Sequence, residues 1–408
     1  MAYSHSGGGS DPYEEDYAYY EGKKAKKPSR RYGDIITSVV IIAIILILIL
    51  LVTNAGFREA VKNLFNPEVG GYREYPEWAE FEVERTITVS PYPPGSAMTY
   101  TVDIPTPEDI PNSTDPWLQD VRSVISSPDF TEEKFPNYEW MVWEGNGETS
   151  QRSFTIIYNM RTESAVWDFE PSDSGNIGDI PQWLVDKYGN KTIDEWKILP
   201  SHPQIVSLSD QLTAGKLTVY DKIRSIFDYL NDNFEYETVR GSAPKYCNET
   251  LLDKSGDCDD QSVLFISIAR AAGIPSWLEF GALYNQQQKS WGGHAWIRVY
   301  IPYYYGGGHV FNIDVVNDQF LFRDAYRFSE WESDGNGSHL KDYYYSYGFN
   351  FKYQERYTTL SLKSSSDKIR IGEDGRPLGE SIPGFEAIYA IPVLVFIAII
   401  MRKKRWDL

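Results

Sequence analysis

Residues Ser255–Pro275 constrain this chain more than any other stretch. Ser255-Gly256-Asp257-Cys258-Asp259-Asp260 runs into Val263-Leu264-Phe265-Ile266 and continues through Ile268, Ala269 and Ala271 to Gly273-Ile274-Pro275. Apolar residues on nearly every side predict a helix buried on most faces. Gly273 supplies its stop, with Pro275 behind it. Cys258 therefore stands at the N-terminus of a core helix, where the positive end of the dipole favours a thiolate. Asp257, Asp259 and Asp260 act against that, because nearby negative charge disfavours the thiolate. Two of them, Asp259 and Asp260, can also cap the first N–H groups of the helix.

A thiolate nucleophile needs a base, and the base needs an orienting group. Of five histidines, His294 has the informative context: Gly292-Gly293-His294-Ala295-Trp296-Ile297-Arg298-Val299-Tyr300-Ile301. The alternation after Ala295 predicts a strand with one buried face. A second strand is expected over His309–Val316, with Pro302–Gly308 as the hairpin loop. A hairpin symmetric about Tyr305 pairs Trp296 with Asp314 and makes His294 and Asp314 diagonal neighbours on one face. Such diagonals are roughly 7–8 Å apart, within side-chain reach. A slip of one residue would undo this, and the same register sends His309 to the opposite face.

These residues resemble the transglutaminase-like superfamily, in its prokaryotic, protease-like branch. The likeness rests on Gly-Asp-Cys-Asp-Asp ahead of a helix ending Arg-Ala-Ala-Gly-Ile-Pro, then Gly-His-Ala-Trp, then an Asp at a strand end, in that order. It spans roughly residues 218–328. It implies a papain-like α+β core in which the Cys-bearing helix packs on an antiparallel sheet. It also implies Cys258 as nucleophile, His294 as base and acid, and Asp314 as orienting carboxylate, with no cofactor. Val315 stands where many members have Pro, and Asp259 where animal transglutaminases have an aromatic, so calcium-dependent crosslinking is not implied. Cys247 is the only other cysteine; a Cys247–Cys258 disulfide, possible outside the cytoplasm, would remove the nucleophile.

The flanks bound the location. Residues 1–33 have a disordered, cytoplasmic composition ending in a basic run. Ile35–Val52 is 18 residues without a charge, giving an expected transmembrane helix over 34–54 with the N-terminus inside. Ala387–Met401 is followed by Arg402-Lys403-Lys404-Arg405 and preceded by Pro383-Gly384-Phe385. A Pro-Gly-Phe tripeptide, short apolar helix and basic tail (383–408) resemble an archaeosortase-type sorting signal, which implies a processing enzyme as partner. An ordinary C-terminal anchor is the alternative. The region between faces outward from the cell membrane. A net charge of −19 argues against nucleic acid as partner.

Alternating runs at Phe81–Val89, Met98–Ile104 and Ser153–Tyr158 predict a mostly β accessory domain over 72–202. The transglutaminase-like domain is expected over 210–360, opened by a core helix with Val219, Ile223, Ile226, Phe227, Leu230 and Phe234 on one face. Residues 361–382 have the composition of a stalk. The aromatics beyond Phe322, Trp331 and Tyr343–Tyr345 among them, suit either a polymer cleft or ordinary packing. Two functions follow. One is a thiol enzyme cleaving or transferring amide bonds in a peptide or protein of the cell envelope. The other is an inactive surface protein of the same fold that binds envelope polymer or scaffolds a complex.

Overall fold

A computed structural model describes residues 72–378 apart from 112–117, 136–137, 168, 239–242 and 345–346. All of them lie in the second of two compact units, residues 71–408. The expected tail, both expected membrane helices and the sorting signal lie outside the described residues. Among the described residues no helix is long and apolar enough to cross a membrane.

The N-terminal part is β structure, as its alternation predicts. Its strands are β1 (Trp78–Pro91), β2 (Met98–Pro105), β3 (Gln119–Ser127), β4 (Thr131–Phe135), β5 (Tyr138–Glu148) and β6 (Arg152–Glu163). In β1 every second residue from Ala79 to Val89 is buried, the period of a strand with one wet face. Phe81, Val83 and Ile87 meet Val102, Ile104, Phe154 and Ile156 in one apolar core.

The part that follows supplies α1 (Pro203–Thr213), α2 (Val219–Asn233), α3 (Cys247–Asp253) and α4 (Cys258–Ala271). Its strands are β7 (Ser276–Asn285), β8 (Ser290–Pro302), β9 (Gly308–Asp314), β10 (Gln319–Phe320) and β11 (Arg327–Glu332). The order β10-β9-β8-β7-β11 makes a five-stranded antiparallel sheet. Thr218 caps α2, its hydroxyl accepting from the Asp221 N–H at 3.1 Å. Val219, Ile223, Ile226, Phe227 and Leu230 are buried, whereas Phe234 follows the helix as its extended cap and is only half-buried. Helix α4 is buried continuously from Asp260 to Arg270. It ends at Gly273, whose φ of 81° suits the residue that follows a helix.

After α5 (Gly337–Tyr344) the chain returns to the N-terminal β structure. Strand β12 (Tyr347–Phe349) pairs with β2, and β13 (Phe351–Ser364) pairs with β1 along its length. The two sheets therefore run β13-β1-β6-β3 and β12-β2-β5-β4. Lys368–Ile371 pairs in turn with Arg73–Pro76. The expected boundary at 360 thus falls inside β13, and Ser361–Ser364 and Lys368–Ile371 of the expected stalk are paired strand, while 379–382 lie outside the described residues. Ser and Lys on an exposed strand face resemble a linker in composition, while backbone pairing with a partner some 270 residues away leaves no local mark. The two parts also share a core, since Trp291 and Phe328 of the five-stranded sheet pack on Phe81.

Asp103, on β2, is pushed up to about 7 by burial and then by the charges of Asp342 and Glu133. Its folded value lies above the unfolded one. The penalty is therefore absent below about pH 4 and grows as pH rises towards 7. Asp103→Asn should raise the melting temperature at pH 8 and leave it unchanged at pH 4, read by circular dichroism. Equal effects at both pH values would contradict the assignment.

Candidate active site

Cys258 is the first residue of α4, immediately after Asp257. Gly256 precedes them because a Cβ there would lie 2.5 Å from the Asp260 side chain. Asp260 folds back, accepting from the Lys245 N–H at 2.6 Å and the Asp257 N–H at 3.4 Å. The start of the helix is thereby pinned from two sides.

The hairpin has the expected register: Ile297 faces Ile313 and Pro302 faces Gly308, which is symmetric about Tyr305. His294 Nε2 lies 2.8 Å from Asp314 Oδ2. Both side chains are nearly enclosed, at 8% and 1% exposure. His309 goes to the other face, against Trp167 and Phe311. Gly281 sits directly across from His294 on β7. A Cβ at Gly281 would collide with the Phe328 carbonyl, so glycine lets β11 close on β7 behind the imidazole.

Further residues complete the site. Asn317 donates from Nδ2 to Asp314 Oδ2 at 2.8 Å and from its N–H to Oδ1 at 3.2 Å. Its Nδ2 also lies 3.1 Å from His294 Nε2. The fully buried Arg327 forms an ion pair with Asp314 at 2.9 Å. The rings of Trp296 and His294 stack 5.8 Å apart. Although burial opposes ionisation of Asp314, the charges of His294 and Arg327 hold its carboxyl well below the usual range. Beneath them Glu279, fully buried, accepts from Trp296 Nε1 at 2.5 Å and Asn312 Nδ2 at 2.7 Å, and from the Ser329 hydroxyl.

Asn317, Arg327 and Glu279 escape the sequence reading. For Glu279 and Arg327 a charged residue at an inward strand position is the one available sign, visible only once the register is known; Asn317, a neutral turn residue, carries none. The aromatics beyond Phe322 pack rather than line a cleft in the case of Trp331, which is buried and stacks on Phe280 and Tyr343.

The thiol departs from the dipole expectation. Burial, then Asp259, Asp257 and Asp314, push the Cys258 thiol well above its ordinary range, against the lowering effect of a hydrogen bond from the Ala295 N–H. That bond places the sulfur beside the residue next to His294. No hydrogen bond joins Cys258 to His294 directly among the described residues. Burial and a hydrogen bond to Asp257 hold the Asp259 carboxyl well above its usual range, which lessens the negative charge facing the sulfur. Cys247 is buried, and both cysteines are free thiols.

Residues 206–308 match the transglutaminase-like superfamily, a segment that holds Cys258 and His294 and ends before Asp314. No curated protein matches the chain. Among solved structures, a protein of Cytophaga hutchinsonii assigned provisionally as a cysteine protease is 14% identical with a TM-score of 0.49, covering 76% of this chain and 96% of its own. The periplasmic domain of TgpA from Pseudomonas aeruginosa is 14% identical with a TM-score of 0.30, covering 58% of this chain and 88% of its own. A provisionally assigned protease of Parabacteroides distasonis is 12% identical with a TM-score of 0.26, covering 66% of this chain and 48% of its own. Residues 206–308, with the helix that carries Cys258 and the strand that carries His294, thus form a transglutaminase-like core.

Proposed function

We propose that this chain is a membrane-anchored, outward-facing thiol enzyme that hydrolyses amide bonds in peptides or proteins of the cell envelope. The observation that carries the reading is the His294–Asp314 pair at 2.8 Å beside a thiol at the start of a buried helix. With Nε2 held by Asp314, His294 has Nδ1 left to take the thiol proton. Sulfur attacks the carbonyl carbon, and the C–N bond breaks as Nδ1–H returns the proton to the leaving amine. Water then attacks the thioester, with His294 as base, and releases the acid. The Cys258 N–H is the proposed oxyanion donor. An amine in place of water would make the same site a transferase. Location rests on the charge-free segment 35–52 and the basic-ended segment 387–405, and processing at Pro383-Gly384-Phe385 is part of this proposal.

A cleft of about 470 Å³ adjoins this site without being lined by Cys258, His294 or Asp314; Gln261 of α4 and Val315–Val316, which follow Asp314, help form its wall.

The raised thiol also suits a second reading, a non-catalytic surface protein of this fold. A peptide-amide probe with a thiol-reactive warhead separates the two. Labelling of the full-length chain should require Cys258, fall at least tenfold in His294→Ala, and rise through pH 8–9, because a raised thiol is mostly protonated at pH 7. Labelling that is indifferent to His294 would favour the binding protein.

A further inference from the structure

We infer that Arg327 is a positioning residue for the His294–Asp314 pair, a buried cation that fixes the carboxylate and sets the pH range in which thiol and imidazole exchange a proton. The inference rests on the roles proposed above for Cys258, His294 and Asp314.

Asp314 Oδ2 is shared three ways: His294 Nε2 at 2.8 Å, Asn317 Nδ2 at 2.8 Å and Arg327 Nη2 at 2.9 Å. The guanidinium is itself held. Nη2 donates to Asp324 Oδ2 and to Gln319 Oε1, both at 2.6 Å, and Nε donates to Asp324 Oδ2 at 3.1 Å. Its carbon lies 4.9 Å from the centroid of the Trp296 ring, the ring that stacks on His294. Asp314 cannot turn without breaking contacts to two separate elements, and the indole that supports the imidazole rests on the same cation. Asp324 alone would neutralise Arg327, so the approach to Asp314 is more than charge balance. A planar fork can meet these partners together, whereas an ammonium is a point charge.

Charged and titratable groups surround the pair on several elements, with Glu279 of β7, bonded to Trp296, and Arg298 of β8 beneath it. Strand β9 brings Asp314, the segment before β11 brings Arg323 and Asp324, and β11 brings Arg327. Tyr75 feels Asp324 and Arg327 from the N-terminal side, and Cys258 faces Asp314 from α4 with Asp257 and Asp259 beside it. Arg327 is the cation in ion-pair contact with Asp314, and Asp324 is paired to that cation. The Arg–Asp unit carries no net charge, and its positive end is the one in contact with Asp314. A cation there favours thiolate over thiol and imidazole over imidazolium, so both macroscopic steps of the pair move the same way.

The test is the pH profile of Cys258 alkylation by iodoacetamide on the full-length chain, followed at the Cys258 peptide by mass spectrometry. It needs no substrate. Arg327→Met combined with Asp324→Asn removes both charges, and with them the positive end that faces Asp314, and should move the whole profile up. Asp324→Asn alone leaves Arg327 unopposed and should move it down. Opposite signs from two changes at one ion pair are not what loss of packing produces. Thermal melts report whether each variant folds, and if the double variant does not, the sign of the near-isosteric single variant decides. A His294-dependent profile that the folded variants leave in place overturns the inference alone. A wild-type profile unchanged by His294→Ala overturns it together with the triad reading.

Discussion

Asp314→Asn should lower amide turnover about ten-thousand-fold while the chain stays folded at pH 7. The shape is kept and the charge is not. An ionised Asp314 only accepts, so His294 Nε2 must carry the proton and Nδ1 is free to act as base. In the amide, the oxygen takes the position that Arg327 and Nε2 share, where it accepts as a neutral group and the carboxylate charge is gone. The imidazolium that forms when Nδ1 takes the thiol proton then loses the anion that stabilises it. The loss should fall on kcat more than on KM, because no binding contact has changed. Turnover within tenfold of wild type would mean that His294 is not held in the role proposed for it. The variant should also lose stability at pH 7 and recover it relative to wild type on acidification. A carboxylate whose folded value is depressed contributes above about pH 4, and that contribution is lost as pH falls.

The second large effect lies under the site. Glu279→Ala should destabilise the fold by about 3–5 kcal/mol in urea titration at pH 7. One carboxylate accepts from Trp296 Nε1, Asn312 Nδ2 and Ser329 Oγ, and Arg298 stands 3.7 Å away. Its removal leaves those donors without an acceptor at the centre of the sheet. Despite full burial, the charges of Arg298 and Arg323 hold Glu279 below its usual range, so it stays ionised and its loss is felt across neutral pH. Trp296 and Asn312 lie on the two strands that carry His294 and Asp314, so alkylation of Cys258 should lose its dependence on His294 before global unfolding. A change below 1 kcal/mol would show that the donors find other acceptors or water.

The parts of this architecture that were legible in the sequence are those set by local periodicity. The helix from Cys258 follows from its apolar run, and the exposure of β1 follows from its alternation. The hairpin register needed only a loop centred on Tyr305 and one buried face, and that placed His294 against Asp314. What was missed depends on distant partners. Arg327, Glu279 and Asn317 are ordinary polar residues until the fold encloses them together. The direction of the Cys258 thiol was open for the same reason: a helix dipole is worth a fraction of the cost of burying a sulfur anion beside acidic groups. The return of β13 carries no local signal, because pairing between residues 91 and 351 is a property of the whole chain.

That return strand also bears on how the protein is made. Strand β1 is complete at Pro91, and its partner begins at Phe351, 260 residues later. At a synthesis rate of roughly 5–20 residues per second, one edge of β1 waits about 13–50 seconds with its hydrogen-bonding groups unpaired. The long exposed row of donors and acceptors is the kind of template on which nascent chains aggregate or recruit holdase chaperones. The five-stranded sheet, whose strands fall between Ser276 and Glu332, can assemble in that interval from segments close in sequence. Biogenesis would then finish at the edge of the N-terminal sheet, and truncation before Ser364 would yield an intact-looking thiol centre on a protein that cannot be kept soluble.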